Sequence, residues 1–204
     1  MIFISKTVKI LLTSIVGILL LLILTTFILL VSIRGEFTTY LDEKYPDMSF
    51  KVSFTKYNVI NESFYANVTC LEDGTFFTIS KSFKTKDIYE DYAEYKSQNQ
   101  YNSKIESIFY SSDIQSYIEN VKGGGKTSFK NEAVYNQINI HLTDEADHIS
   151  VVKKALNILR EKNISADTIM FTYEKNNGVY ELLLSSDDYN LTQSEIEAKV
   201  KKIK

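Results

Sequence analysis

Apolar and polar positions along this chain change rhythm several times, and each change marks an element. Residues 10–33 carry no charge and are interrupted only by small or hydroxylated side chains such as Thr13, Ser14, Gly17, Thr25, Thr26 and Ser32. As a helix rising 1.5 Å per residue the stretch spans about 36 Å, against a hydrocarbon core of roughly 30 Å. Phe37, Leu41 and Tyr45 then recur every fourth residue, which continues the helix outward as an amphipathic stalk until Pro46 stops it. From Phe50 the period falls to two, with Phe50, Val52 and Phe54 alternating with Lys51, Ser53 and Thr55, the signature of a strand with one buried face. A second strand covers 64–71, Asp73-Gly74 marks a tight turn, and 75–80 forms a third.

Helical spacing returns with Ile88, Tyr92 and Tyr95, then Ile105, Ile108 and Phe109, then Ile114, Tyr117 and Val121, which predicts two helices or one kinked helix ending at Gly123-Gly124-Gly125. Val134, Ile138, Ile140 and Leu142 share one strand parity, and Ile149, Val152, Leu156 and Leu159 restore helical spacing. Ile169, Phe171 and Tyr173 predict a strand, Asn177-Gly178 its hairpin turn and 179–185 the return. Thr192 and Glu195 are spaced as a capping box for a last helix through Ile196, Val200 and Ile203. The pattern predicts an α+β chain: a tail (1–9), a transmembrane helix (10–33), a first unit (34–122), a glycine-rich linker (123–130) and a second unit (131–204). Each unit is expected to lay helices on one face of a small antiparallel sheet.

A secretory leader is the alternative reading of the N-terminus. Lys6 and Lys9 supply its basic start, but the apolar stretch is longer than the 7–15 residues of a leader and reaches Arg34-Gly35-Glu36 with no small-x-small cleavage site. An uncleaved anchor is therefore expected, with the short tail inside and residues 35–204 outside the cytoplasm.

Composition narrows the partners. Residues 1–34 hold three of the 23 Lys and Arg and none of the 26 Asp and Glu, so the remainder is acidic by six charges. That balance excludes the basic stripe nucleic acid requires and weakens electrostatic docking on anionic lipid. It leaves the bilayer itself, through residues 10–33, and a protein or envelope component as expected partners. Cys70 is the one cysteine, so no intramolecular disulfide forms, and its parity with Phe64, Ala66 and Val68 places it in a core. The sequons at Asn61, Asn67, Asn163 and Asn190 are what chance yields in a chain this rich in Asn, Ser and Thr.

Candidate chemistry is sparse. Gly125-Lys126-Thr127-Ser128 lacks the first glycine of a phosphate loop, Asn120 standing there, and it joins a helix to a strand instead of the reverse. His141, Asp144 and His148, with Glu145 and Asp147 between them, are the only metal candidates, yet their spacing matches no zinc or EF-hand signature. Thr143 as an N-cap and acidic residues in a first helical turn account for them. No Gly-x-Ser-x-Gly or His-Glu-x-x-His occurs, and Asp187-Asp188 falls at a hairpin end. No catalytic residue, metal or cofactor is assigned. The aromatic content, 14 Tyr and 12 Phe without Trp, offers Tyr89, Tyr92, Tyr95 and Tyr101 as a partner surface among acidic and amide residues. The expectation is an anchored binding or accessory module; a divergent metal-dependent envelope enzyme using the His141–His148 region and a structural spacer are the alternatives.

The layout of a short basic tail and one span, followed by Tyr40-Leu41-x-x-Lys44-Tyr45, Phe50-x-Val52 and Tyr65-Ala66-x-Val68, resembles the YfjL-like group of small single-span bacterial proteins over residues 1 to about 95. The resemblance implies an anchored α+β domain of Gram-positive bacteria and brings no functional residues with it.

Overall fold

The computed structural model describes residues 6–125 and 134–204, side chains from residue 11 onward. The Lys126-Thr127-Ser128 part of the phosphate-loop look-alike, and all of the expected linker after Gly125, lie outside them. The fold is α+β with a long apolar helix at its N-terminus, as the hydropathy pattern predicts. The chain divides into two compact units, Met1–Tyr92 and Ala93–Lys204.

In the first unit, helix α1 (Lys6–Lys44) is long and apolar enough from Leu11 onward to cross a membrane. It runs unbroken into the fold and ends just before Pro46. Strands β1 (Phe50–Val52), β2 (Lys56–Asn58), β3 (Ser63–Cys70), β4 (Phe76–Ser82) and β5 (Ile88–Glu90) form an antiparallel sheet in which β3 pairs with β1, β2 and β4, and β4 with β5. Alternation on β3 buries Phe64, Ala66, Val68 and Cys70 against Ile33, Phe37 and Leu41 of α1. The last three turns of α1 are therefore core, whereas its apolar side chains from Leu11 to Phe27 are exposed. Outside the core, Arg34 donates Nε to the Val52 carbonyl at 3.2 Å, Glu36 pairs with Lys81, and Glu90 accepts from Lys44 Nζ at 2.6 Å and Tyr45 Oη at 2.8 Å. Burial works against charge on Glu90, but the hydrogen bonds from Lys44 and Tyr45 outweigh it and hold the carboxyl below its usual range.

Helix α2 (Tyr92–Tyr110) starts at the last residue of the first unit, and the second unit continues with β6 (Ile118–Gly124), β7 (Val134–Leu142), α3 (His148–Glu161), β8 (Ser165–Lys175), β9 (Gly178–Leu184), α4 (Gln193–Ala198) and β10 (Lys201–Lys202). The sheet order is β10-β9-β8-β7-β6. Three pairs are antiparallel; β7 and β8 are parallel because α3 crosses over between them. Tyr101, Ile105 and Phe109 of α2 and Val152, Leu156 and Leu159 of α3 join Ile138, Ile140, Ile169 and Phe171 in one core. Both helices thus cover the same face of the sheet.

Several local expectations are corrected. The glycine run is no linker: Gly123 and Gly124 belong to β6, paired with Ile138 and Gln137, and the boundary between units falls after Tyr92. Small size is required by close packing, since a Cβ on Gly123 would lie 2.6 Å from the Tyr135 ring and one on Gly125 2.1 Å from the Tyr101 ring. The second middle helix does not form; a 3-10 turn (Gln115–Tyr117) leads into β6. A bulge between Ile118 and Asn120 shifts the strand's parity, so buried Ile118 and Val121 stand three apart and imitate a helix. Ile88 is in β5, not at the start of a helix. The hairpin loop is Asn176-Asn177, both at positive φ (51° and 57°), with Gly178 already paired to Lys175. The Thr192–Glu195 capping box forms, but α4 stops at Ala198 and β10 follows along β9.

Candidate functional site

Among the described residues of the second unit, helices cover one face of the sheet and none covers the other. Inward Ile138, Ile140, Ile169 and Phe171 alternate with outward Asn139, His141, Met170 and Thr172, so the other face carries polar groups on adjacent strands, with Met170 beside Asn139 and paired on its far side with Leu183 of β9. His141 on β7 sits between Thr172 on β8, with Nδ1 2.8 Å from Oγ1, and Glu119 on β6, with Nε2 3.3 Å from the carboxylate. With Lys122 and Asn139 they line a depression of about 480 Å³. A second depression of about 320 Å³ shares Lys122 and Asn139 and is also bordered by Gly123, Gly124 and the amide side chains of Gln98, Asn102 and Gln137.

The hydroxyl, imidazole and carboxylate stand in the order of a nucleophile, a base and an orienting group. Thr172 is nevertheless mid-strand, between partners on both sides, so the backbone amides around it serve the ladders. They do not converge on an oxyanion position. The arrangement can donate and accept hydrogen bonds.

The edge beside it is closed to strand addition at one point. Gln98 on α2 donates Nε2 to the Gly123 carbonyl at 2.7 Å, and the Gly123 N–H donates to Asn102 Oδ1 at 3.0 Å. Two side chains of α2 thereby occupy backbone groups of edge strand β6 that another strand would use.

The structure does not bring the three metal candidates together. His148 lies on the opposite, buried side, stacked on Tyr173 with centroids 3.9 Å apart and its Nε2 3.1 Å from the Thr143 carbonyl. A carbonyl only accepts, so Nε2 carries the proton, and burial lowers the imidazole pKa from its ordinary value. Asp144 is an exposed loop residue, and Asp147, not Thr143, is the N-cap of α3. Among the described residues no three His, Cys, Asp or Glu side chains form a group able to hold a metal.

The tyrosine surface is also divided. Tyr89 and Tyr95 are exposed, whereas Tyr92 and Tyr101 are buried, and the unit boundary separates Tyr89 and Tyr92 from Tyr95 and Tyr101. Tyr92 stacks edge-on with Tyr45 and Phe50 and places its hydroxyl 2.9 Å from Asp73 Oδ2, 2.9 Å from Met48 Sδ and 3.6 Å from Cys70 Sγ. Burial opposes the Asp73 carboxylate, but hydrogen bonds from Thr75 and Tyr92 outweigh it and hold its carboxyl well below the usual range. Tyr101 meets Tyr135 edge-on at 4.9 Å, and the Tyr135 hydroxyl donates to the Tyr101 carbonyl at 3.0 Å. These two are core anchors.

Glu119, Lys122 and Thr172 were not singled out by sequence reasoning. Expecting a helix up to Gly123 hides the first two, whereas the polar parity of β7, visible for Gln137, Asn139 and His141, is the available signal for that face. No family model matches the chain, and neither a curated protein nor a solved structure does.

Proposed function

We propose that this chain is a membrane-anchored binding or accessory module, with residues 35–204 outside the cytoplasm, that recognises another protein or an envelope component through the open face of its second sheet. The observation that carries the reading is the polar row Glu119–His141–Thr172 on a sheet whose other face alone is covered by helices. A sheet face lined by a carboxylate, an ammonium, an imidazole, a hydroxyl and several amides suits directional hydrogen bonding to a polar surface. The acidic balance of residues 35–204 argues against nucleic acid as that surface.

An uncleaved anchor is supported by the packing of Ile33, Phe37 and Leu41, because these belong to the same helix as the apolar span and fill the first core. Orientation is supported by Lys6 and Lys9 on the short side of the span. A YfjL-like affiliation belongs to the same proposal and rests on the motifs of residues 40–68.

The test is photocrosslinking in living cells, with a photoreactive residue at Asn139 or Lys122 and a control at Leu71, exposed on the first unit. The reading expects one reproducible adduct from positions 139 and 122 that is absent at position 71. Identical adduct patterns at all three positions, or none at 139 and 122, would refute it.

A further inference from the structure

Much of the exposed apolar surface of the first unit lies at one end of its sheet, while Leu71 and Phe76 are exposed at the other. Three contacts fix how α1 lies against β1: the Tyr45 ring meets Phe50 at 5.7 Å, Arg34 reaches the Val52 carbonyl at 3.2 Å, and Phe27 stacks on Phe54 at 6.0 Å. Descending α1 toward its apolar segment is therefore ascending β1 toward its C-terminal end. The pairing of Tyr57 with Phe64 and of Asn58 with Ser63 carries the chain further the same way, into the β2–β3 turn. Phe83 is held beside that turn by its N–H bond to the Glu62 carbonyl, and its ring lies 6.4 Å from that of Tyr57.

Five large apolar or aromatic side chains are exposed here: Phe54 (47%), Tyr57 (43%), Val59 (76%), Ile60 (93%) and Phe83 (49%). Scattered singly they would need no explanation; together, on the side from which the apolar helix projects, they do. Phe27 precedes Arg34, the first charge after the span, by seven residues, about 10 Å of helix. Within the apolar stretch 10–33 Phe27 stands six residues, about 9 Å of helix, inside the outer end, and Phe54 is stacked on it. Lys86 lies over the Phe83 ring at 4.3 Å and Lys84 pairs with Glu62 at 2.7 Å, an aromatic and lysine rim of the kind found at membrane interfaces.

We infer that the β2–β3 turn, with Val59 and Ile60 at its tip and Phe54, Tyr57 and Phe83 behind it, is a second membrane contact that inserts into the headgroup and acyl boundary of the leaflet that α1 enters. The inference rests on α1 being an uncleaved anchor. It commits to lipid as the occupant because the patch is continuous with the lipid-facing surface of α1 through the Phe27–Phe54 stack. Apolar insertion needs no basic patch, so the acidic balance of the unit does not oppose it. Its consequence is mechanical: two contacts would fix the tilt of the first unit on the membrane, where a single helix leaves it free to swing.

The chain has no tryptophan, so single substitutions supply clean reporters in the full chain reconstituted in phosphatidylcholine vesicles with or without brominated acyl chains. Leu20→Trp reports α1, Ile60→Trp the turn, and Leu71→Trp the opposite end of β3 as control. Insertion to a depth of about 5–10 Å predicts that Ile60→Trp loses about half its emission to brominated lipid, as Leu20→Trp does, while Leu71→Trp is unaffected. A Tyr57→Trp reporter should behave like Ile60→Trp, which excludes a contact created by the probe at the tip. Quenching of Leu20→Trp with none at positions 57 and 60 would overturn the second contact and leave the anchor standing; an unquenched Leu20→Trp would overturn both.

Discussion

Replacing Gly125 by alanine distinguishes a packed glycine run from a flexible one by the sign of its effect. The new Cβ would fall 2.1 Å from Tyr101 Cζ, 2.3 Å from its Oη and 2.4 Å from its Cε2, inside any tolerable contact. The Tyr101 ring cannot simply swing away, being fully buried and held edge-on by Tyr135 at 4.9 Å. Overpacking of that kind costs about 1–3 kcal/mol, whereas alanine in a flexible linker stabilises by about 0.4–1 kcal/mol through the unfolded chain. Amide hydrogen exchange of the full chain in detergent reads the second unit separately from the first. Protection of β7 and β8 should fall about 5-fold to 150-fold in Gly125→Ala, the same free energy expressed as an opening equilibrium. Gly124→Ala should be milder, since its Cβ meets the end of the flexible Gln98 side chain at 2.8 Å. In a Tyr101→Ala background the Gly125→Ala penalty should largely vanish, because the two changes share one contact. Unchanged or increased protection in Gly125→Ala alone would refute the packing argument and restore the linker.

Three further outcomes are expected from the packing. Phe37→Ala should destabilise the first unit by about 3–5 kcal/mol, although the residue stands on the helix that carries the apolar span, and chemical denaturation in detergent measures it. Tyr92→Ser and Tyr101→Ser should each cost a similar amount, about 3–5 kcal/mol, while Tyr89→Ser and Tyr95→Ser stay within about 0.5 kcal/mol by the same denaturation. His148 has a folded pKa lowered from 6.5 by burial, so the unfolded state binds the proton more readily and stability rises with pH. Exchange protection of α3 should therefore hold above pH 6.5 and decline as pH falls below that value toward the folded pKa, and His148→Gln should remove that part of the decline.

Much of this architecture is legible because one buried face imposes its period on the sequence. The strand at Phe64–Cys70, the Ile138–Leu142 run and the α3 stripe Val152, Leu156 and Leu159 each bury the residues their spacing selects. Legibility fails where tertiary geometry breaks a period. The bulge in β6 turns a strand's spacing into a helix's, and the close approach of Tyr101 and Tyr135 makes three glycines read as a hinge. Tyrosine clusters mislead for a related reason: Tyr92 and Tyr101 have acidic and amide neighbours in sequence but aromatic ones in space. The open face was half visible, since period-two polarity marks Asn139 and His141, but which strands lie beside them depends on the α3 crossover, and no local pattern encodes that pairing.

The claim on which the rest depends is that α1 is one rod, with its apolar end in the bilayer and its other end in the core of the first unit. The direct measurement is the size and membrane attachment of the chain in cells, read by a C-terminal tag after alkaline extraction of membranes. A single species of full length, 23.5 kDa plus the tag, that stays with the membrane is the expected result. A shorter, extractable species lacking the apolar span would contradict it, because the segment taken for an anchor would be a leader removed from the mature chain.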